Sequence, residues 1–264
     1  MLSDKVRLAM QQLLQQPVVV RVQQRFPRAV RFLQNRFSTT SFTGLPLTLL
    51  LVVFLFNSML LSQLTEEVVE SDGVLGLDDK FTAMLYGVRS DWLSQTFYFL
   101  TQLGTRAAVF VVGALVTGLF LYKRRYVAIL AFWLVMAGVG LSVQYGKTFI
   151  SRNRPADVAY YPEHNYSFPS GHATTAMALF GMVAYFLCQH YRAPAQRRLI
   201  IAGAVLVIAG IGFTRIYLGV HFLTDVLAGY MLGALWLLLG ISLTELMTYR
   251  SKRLAAKQQD PTSG

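Results

Sequence analysis

Cysteine occurs once, at Cys188, so the chain can close no intramolecular disulfide and gives no redox argument about its compartment. Charge is sparse too, at 14% of residues, and the apolar runs between charges are too long for a soluble core. Acidic residues are the scarcer sign, 13 against 24 Lys and Arg. The basic excess does not make a nucleic-acid reader, because no basic, aromatic-studded soluble module accompanies it. Internal repeats are lacking, and low complexity is confined to a glutamine-rich start. A short charged leader ahead of an apolar core is lacking as well: the first apolar run begins after roughly forty basic, glutamine-rich residues, so we expect the first span to be retained. What fills the chain is hydrophobic sequence, 54% of 264 residues with a mean hydropathy of +0.45.

Spanning about 30 Å of hydrocarbon takes about 20 helical residues. Six segments approach that length: 44–64, 106–122, 126–145, 173–190, 199–214 and 226–247. The expected fold is therefore all-α, an integral-membrane bundle of six transmembrane helices with interfacial helices beside it. One six-span domain over 44–247 is expected between a basic N-terminal segment (1–43) and a short tail (248–264). Of the 24 Lys and Arg residues, 17 fall on the membrane side that holds both termini and the connections after the second and fourth spans, which by the positive-inside rule is the cytoplasm. Cys188 lies in a span as a small apolar filler. The N-terminal segment, broken at Pro17 and Pro27, reads either as amphipathic helices on the inner leaflet or as a poorly ordered basic tail. The stretch 78–104, with Trp92, Phe97, Tyr98 and Phe99, reads as interfacial helix over the outer mouth. The end of the chain from Ala255 reads as disordered.

This topology brings three short stretches to the outer face: "KTFISRNRP" from Lys147, "PSGH" from Pro169, and "TRIYLGVHFLTD" from Thr214. Lys147, Arg152, Arg154 and Arg215 collect four cations where a single charge at the bilayer centre costs about 3 kcal/mol. An anion should offset them, and phosphate fits: arginine forks onto its oxygens and lysine supplies a mobile charge. The turn at Ser170 and Gly171 opens a helix whose free N–H groups favour an anion, with Gly171 admitting close approach and Ser170 offering a hydroxyl. His221 and Asp225 are four apart, expected on one helical face, so the carboxylate can hold one ring nitrogen and leave the other as a nucleophile. His172 can protonate a leaving alkoxide and then activate water. A zinc site built from His172, His221 and Asp225 is disfavoured by Lys147, Arg154 and Arg215, which repel a divalent ion. His164 reads as a solvated loop residue within reach of a headgroup, and His190 as interfacial.

Taken singly, each element has an ordinary alternative, Arg215 and Asp225 as an ion pair for instance. Together, Lys147 with six residues before Arg154-Pro155, then Pro169-Ser170-Gly171-His172, then Arg215 with five residues before His221 and three before Asp225, resemble the three motifs of the type 2 phosphatidic acid phosphatase (PAP2) superfamily. The resemblance implies an α-helical core, a metal-independent and cofactor-free histidine mechanism, and an outward-facing site. It implies that Lys147, Arg154, Ser170, Gly171 and Arg215 bind phosphate, that His172 is the acid, that His221 is the nucleophile and that Asp225 orients it. Thr214 stands where the family usually has serine. The expected activity is hydrolysis of a lipid phosphomonoester or pyrophosphate, of the phosphatidate, phosphatidylglycerophosphate or polyprenyl diphosphate class, with phospholipid or isoprenoid lipid phosphates as partners. A bacterial inner membrane with a periplasm-facing site is the expected location. A phosphotransferase passing the group to another envelope lipid, a haloperoxidase and a non-enzymatic transporter or packing subunit are the other readings.

Overall fold

The structure is a computed structural model that describes residues 25–28, 36–38, 42–70 and 72–259. The N-terminal segment expected to lie on the inner leaflet falls mostly outside the described residues. Two units are distinguished, Met1–Val52 and Val53–Gly264. In the first, Thr48 Oγ1 donates to the carbonyls of Gly44 (2.9 Å) and Arg36 (3.2 Å).

Among the described residues from Leu45 onward there are eight α-helices: α1 (Leu45–Glu70), α2 (Asp72–Gly87), α3 (Asp91–Thr101), α4 (Arg106–Tyr122), α5 (Tyr126–Ile150), α6 (Gly171–His190), α7 (Pro194–Tyr217) and α8 (Leu223–Gln259). The described residues contain no strand. α1, α5, α6, α7 and α8 are each long and apolar enough to cross a bilayer. α4, at 17 residues, passes the same test only together with Asp91–Gly104, from which it is bent by 49°, so five helices can cross singly and the span expected over 106–122 can do so only as part of this bent pair. α8 runs to Gln259, beyond the point where disorder was expected, through an Ala/Lys/Gln stretch of strong helix formers.

Local chemistry sets the ends that matter. The Thr105 side chain accepts from Ala108 N (3.4 Å) and caps α4. α5 ends at Ser151, which is left-handed (φ 52°) and donates its N–H to the Lys147 carbonyl. Pro194 opens α7, where its fixed φ suits a helix and its missing N–H costs nothing. Phe132, Val135 and Val139 of α5, Leu179 and Met182 of α6 and Trp236 of α8 form the main core. α6 and α8 cross closely because α8 carries glycine at 229 and 233. A Cβ there would come within 2.7 Å of the Ser170 carbonyl oxygen and 2.5 Å of that of Thr174. Small residues at a crossing let backbones approach where lipid gives no hydrophobic drive, and here the approach seats the turn before α6 on the first turns of α8. Phe97 of the stretch expected to be interfacial packs edge-on against Tyr217, with centroids 4.9 Å apart.

Candidate active site

Residues 151–170 link α5 to α6 and carry two arginines of different fate. Arg154 Nε donates to the Asn165 carbonyl (2.6 Å), Nη1 donates to the Val220 carbonyl and lies 3.3 Å from His221 Nε2, and Nη2 lies 3.4 Å from Glu163 Oε2. Arg152, expected as a fourth cation of the outer junction, turns the other way. Its Nη1 donates to Asp225 Oδ1 and its Nη2 to Asp78 Oδ2, both at 2.8 Å, and its guanidinium lies over the Phe222 ring. Two buried carboxylates satisfy it, so it is no phosphate ligand. Lys147, in the last turn of α5, donates to the Tyr166 carbonyl.

The turn before α6 is anchored by Ser170 N, which donates to the Asp225 carbonyl (2.9 Å). Ser170 is fully buried and its Oγ has no hydrogen-bond partner. Gly171 opens α6 and His172 follows in its first turn. At the end of α7, Arg215 is fully buried; its Nη2 donates to Glu163 Oε1 (2.8 Å), its Nη1 to Tyr161 Oη and to Thr101 Oγ1 (3.2 Å), and its Nε has no partner. Thr214 spends its hydroxyl on the Ile211 carbonyl (2.6 Å) and not on the site, so the departure from serine leaves the site unchanged.

His221 does not share a helical face with Asp225. It lies in the turn before α8, and Asp225 sits in the first turn of that helix. Gly219 makes this turn: its φ is +68°, and a Cβ on it would fall 2.3 Å from the Val158 carbonyl oxygen. The turn then doubles back, with Val220 N and His221 N both donating to the Arg215 carbonyl (3.2 and 3.3 Å). His221 Nδ1 lies 3.4 Å from Asp225 Oδ2, which also accepts from Phe222 N (2.8 Å). Because the Arg154 guanidinium can only donate, Nε2 of His221 is the acceptor and Nδ1 carries the proton toward Asp225. Burial, then Arg215, Arg154 and Lys147, hold the His221 imidazole well below the usual histidine range. Burial likewise pushes the Tyr161 phenol up.

Lys147, Arg154, Gly171, His172 and His221 line one cavity of about 910 Å³. Arg215, Ser170 and Asp225 are buried behind its wall, and Arg215 meets Arg154 through the Glu163 carboxylate that both bind. Val109 and Phe110 of α4 and Trp133, Met136, Val139 and Val143 of α5 form an apolar part of the remaining wall, which also carries Arg106, Gln144 and Thr148 from the same two helices. His164 also lines the cavity, and His190 packs edge-on against Tyr191. Asp78, Thr101, Tyr161, Glu163 and Thr224 bind the arginines of the site without having been given a part in it from the sequence. Only Glu163 carried a signal, as an acid in the loop facing the expected cations.

The sequence profile of the PAP2 superfamily matches residues 127–248. Phosphatidylglycerophosphatase B of Bacillus subtilis (strain 168) is 33% identical over 174 residues, 63% of this chain and 83% of the relative. A lipid A 4'-phosphatase of Porphyromonas gingivalis is 28% identical over 147 residues, 52% of each chain. Among solved structures, the transmembrane PAP2-type phosphatidylglycerolphosphate phosphatase from Bacillus subtilis superposes with a TM-score of 0.65 at 29% identity, covering 75% of this chain and 96% of its own. LpxE of Aquifex aeolicus superposes with a TM-score of 0.52 at 25% identity, covering 62% and 94%.

Proposed function

The chain belongs to the PAP2 superfamily, and from that premise we propose that it hydrolyses the terminal phosphate of a membrane lipid through a phosphohistidine on His221. It is an integral membrane protein of the lipid phosphatase type. The observation that carries the finer reading is the mixed lining of the cavity: Lys147, Arg154, His172 and His221 share it with an apolar cluster of α4 and α5 residues, Val109, Phe110, Trp133, Met136, Val139 and Val143. A phosphate alone needs the first group, and a lipid needs both.

In the proposed reaction the substrate phosphate takes the place of the Glu163 carboxylate on Arg154 and Arg215. The N–H groups at the start of α6 and Lys147 add further donors, and the unpartnered Ser170 Oγ lies beside them. His221 Nε2 attacks phosphorus, the phosphorus–oxygen bond to the leaving group breaks, and His172 gives that oxygen its proton. His172, now neutral, takes a proton from water, which attacks the phosphohistidine. Inorganic phosphate leaves and His221 is regenerated with Nε2 bare. Asp225 holds the Nδ1 proton throughout and offsets the charge that develops on the ring. The fixed cations Lys147, Arg154 and Arg215 do the work a divalent ion does elsewhere, and they disfavour one here.

The relatives' names favour phosphatidylglycerophosphate as substrate, followed by a lipid A phosphate; phosphatidate and polyprenyl diphosphates offer the same group. The basic excess on the membrane side that holds both termini supports cytoplasmic termini and a periplasm-facing site in a bacterial inner membrane. A phosphotransferase would share every step except the last acceptor. Purified protein in detergent, given this panel of lipids with EDTA present, should release inorganic phosphate and be inhibited by vanadate. Activity lost to chelation and restored by zinc or magnesium would overturn the mechanism.

A further inference from the structure

Asp78 is fully buried, far from the three motifs in sequence, and the proposed reaction does not use it. It sits in α2 and reaches the start of α8. Its Oδ1 accepts from Thr224 N (3.1 Å), one of the N–H groups that a helix start leaves unpaired, and its Oδ2 accepts from Thr224 Oγ1. The same Oδ2 accepts from Arg152 Nη2, whose other branch, Nη1, is bound to Asp225 Oδ1 and Thr224 Oγ1, all three contacts at 2.8 Å. An unbroken chain of contacts therefore runs from Asp78 through Arg152 and Asp225 to His221.

The charges along this chain matter as much as the distances. Facing His221 are Arg154 from the loop, Arg215 from α7, Lys147 from α5, His172 from α6 and, as the only acid in contact with it among the described residues, Asp225 from α8, while Glu163 of the loop sits on the far side of Arg154 and Arg215. Arg152 alone beside Asp225 would cancel that one negative charge. With Asp78 on its second branch, the group of two carboxylates and one guanidinium keeps a net charge of −1, and Asp225 still presents Oδ2 to the histidine. The plane of the Asp225 carboxylate is fixed from both oxygens, Oδ1 by Arg152 Nη1 and Oδ2 by Phe222 N and His221, while the other arm of the guanidinium is tied to Asp78.

We propose that Asp78 and Arg152 are positioning residues of the reaction, holding Asp225 in place and leaving it charged so that His221 is aimed and stabilised as it takes on positive charge. The proposal rests on His221 being the nucleophile. His221→Ala is therefore the control: loss of turnover there upholds that reading, and retained turnover removes it whatever Asp78 does.

The test compares Asp78→Asn and Arg152→Lys with the wild-type protein in detergent. Asp78→Asn keeps the shape and removes the charge, whereas Arg152→Lys keeps the charge and loses the fork. Each should lower kcat on the order of tenfold to a hundredfold, as misaimed orienting groups do, while KM and inhibition by inorganic phosphate stay within about twofold because Lys147, Arg154 and the start of α6 are untouched. Asp78→Asn removes negative charge behind Asp225, so the His221 imidazolium is less favoured and the acid limb of kcat/KM should move to lower pH. Asp78→Glu should recover part of the lost kcat. Should Asp78→Asn fail to fold, Arg152→Lys decides by the same split. Wild-type kcat with an unmoved acid limb, or a fall in kcat matched by an equal weakening of phosphate inhibition, would overturn the proposal.

Discussion

Arg154 Nη1 stands 3.3 Å from Nε2 of His221, on the opposite side of the ring from Asp225, whose Oδ2 stands 3.4 Å from Nδ1. One neighbour repels a proton on the ring and the other invites it, and burial adds to the repulsion. Both favour a neutral ring with its proton on Nδ1, the form that the proposed attack on phosphorus requires.

The first expected outcome concerns pH. His221 must be neutral to attack, and its folded-state proton affinity is depressed by burial and by Arg215, Arg154 and Lys147. The acid limb of kcat/KM should therefore lie below pH 6.5, the ordinary histidine value. Linkage gives the stability trend: a histidine held neutral in the fold but free to protonate when unfolded contributes its full stability above about pH 6.5 and loses it as pH falls toward its lowered folded value. An acid limb at or above the ordinary histidine value would contradict this account of the site.

A second concerns the turn that delivers His221, the proposed nucleophile. Gly219 is left-handed and its missing Cβ is filled by the Val158 carbonyl. Gly219→Ala should cost about 1–3 kcal/mol of stability through strain and displaced backbone, and should lower kcat because His221 follows two residues later. Thermal unfolding in detergent and kcat together check it. By contrast, Gly118→Ala, where a Cβ meets nothing within 4 Å, should leave both unchanged.

Much of this was legible in the sequence because the signals were local. Apolar runs marked the spans, and Lys147, Arg154, His172, Arg215 and His221 lie in short stretches whose spacing can be read. The missing parts were non-local. Thr224 and Asp78 are 146 residues apart in the chain, and no periodicity joins them. Arg152 and Arg154 are two residues apart, and only the left-handed exit at Ser151 and the folded loop decide that one serves Asp225 and the other the cavity. The four-residue interval from His221 to Asp225 resembled one helical face, but the chain reaches the same contact through a turn, since Phe222 N caps onto Asp225 Oδ2 before the helix begins. The break between α3 and α4 was hidden because a 17-residue apolar run looks like a complete span.

A third outcome separates the two histidines. His221→Ala should abolish turnover and also the covalent label left by a radiolabelled substrate. His172→Ala should keep more phosphoenzyme formation on substrates with good leaving groups, such as p-nitrophenolate, than on phosphatidate, because a poor alkoxide depends on the acid. Its intermediate should persist longer, since the same group activates water. Asp225→Asn should fall between them. Acid-quenched, alkali-stable label remaining on His221→Ala would remove the assignment of the nucleophile.

The last outcome tests the apolar wall. Gly140 of α5 lines the cavity, and a Cβ built on it meets nothing within 4 Å, so a larger side chain can enter the empty space without disturbing the core. Gly140→Leu should therefore fold normally and shorten the space available to an acyl or isoprenoid chain. Turnover of a long-chain lipid phosphate should fall, through a higher KM, while turnover of p-nitrophenyl phosphate, which needs only the cationic end, should hold within about twofold. If the cavity wall has no part in binding the lipid, both substrates should respond alike. A parallel loss on both would place the lipid chain elsewhere on the protein and leave the phosphate end of the site as described.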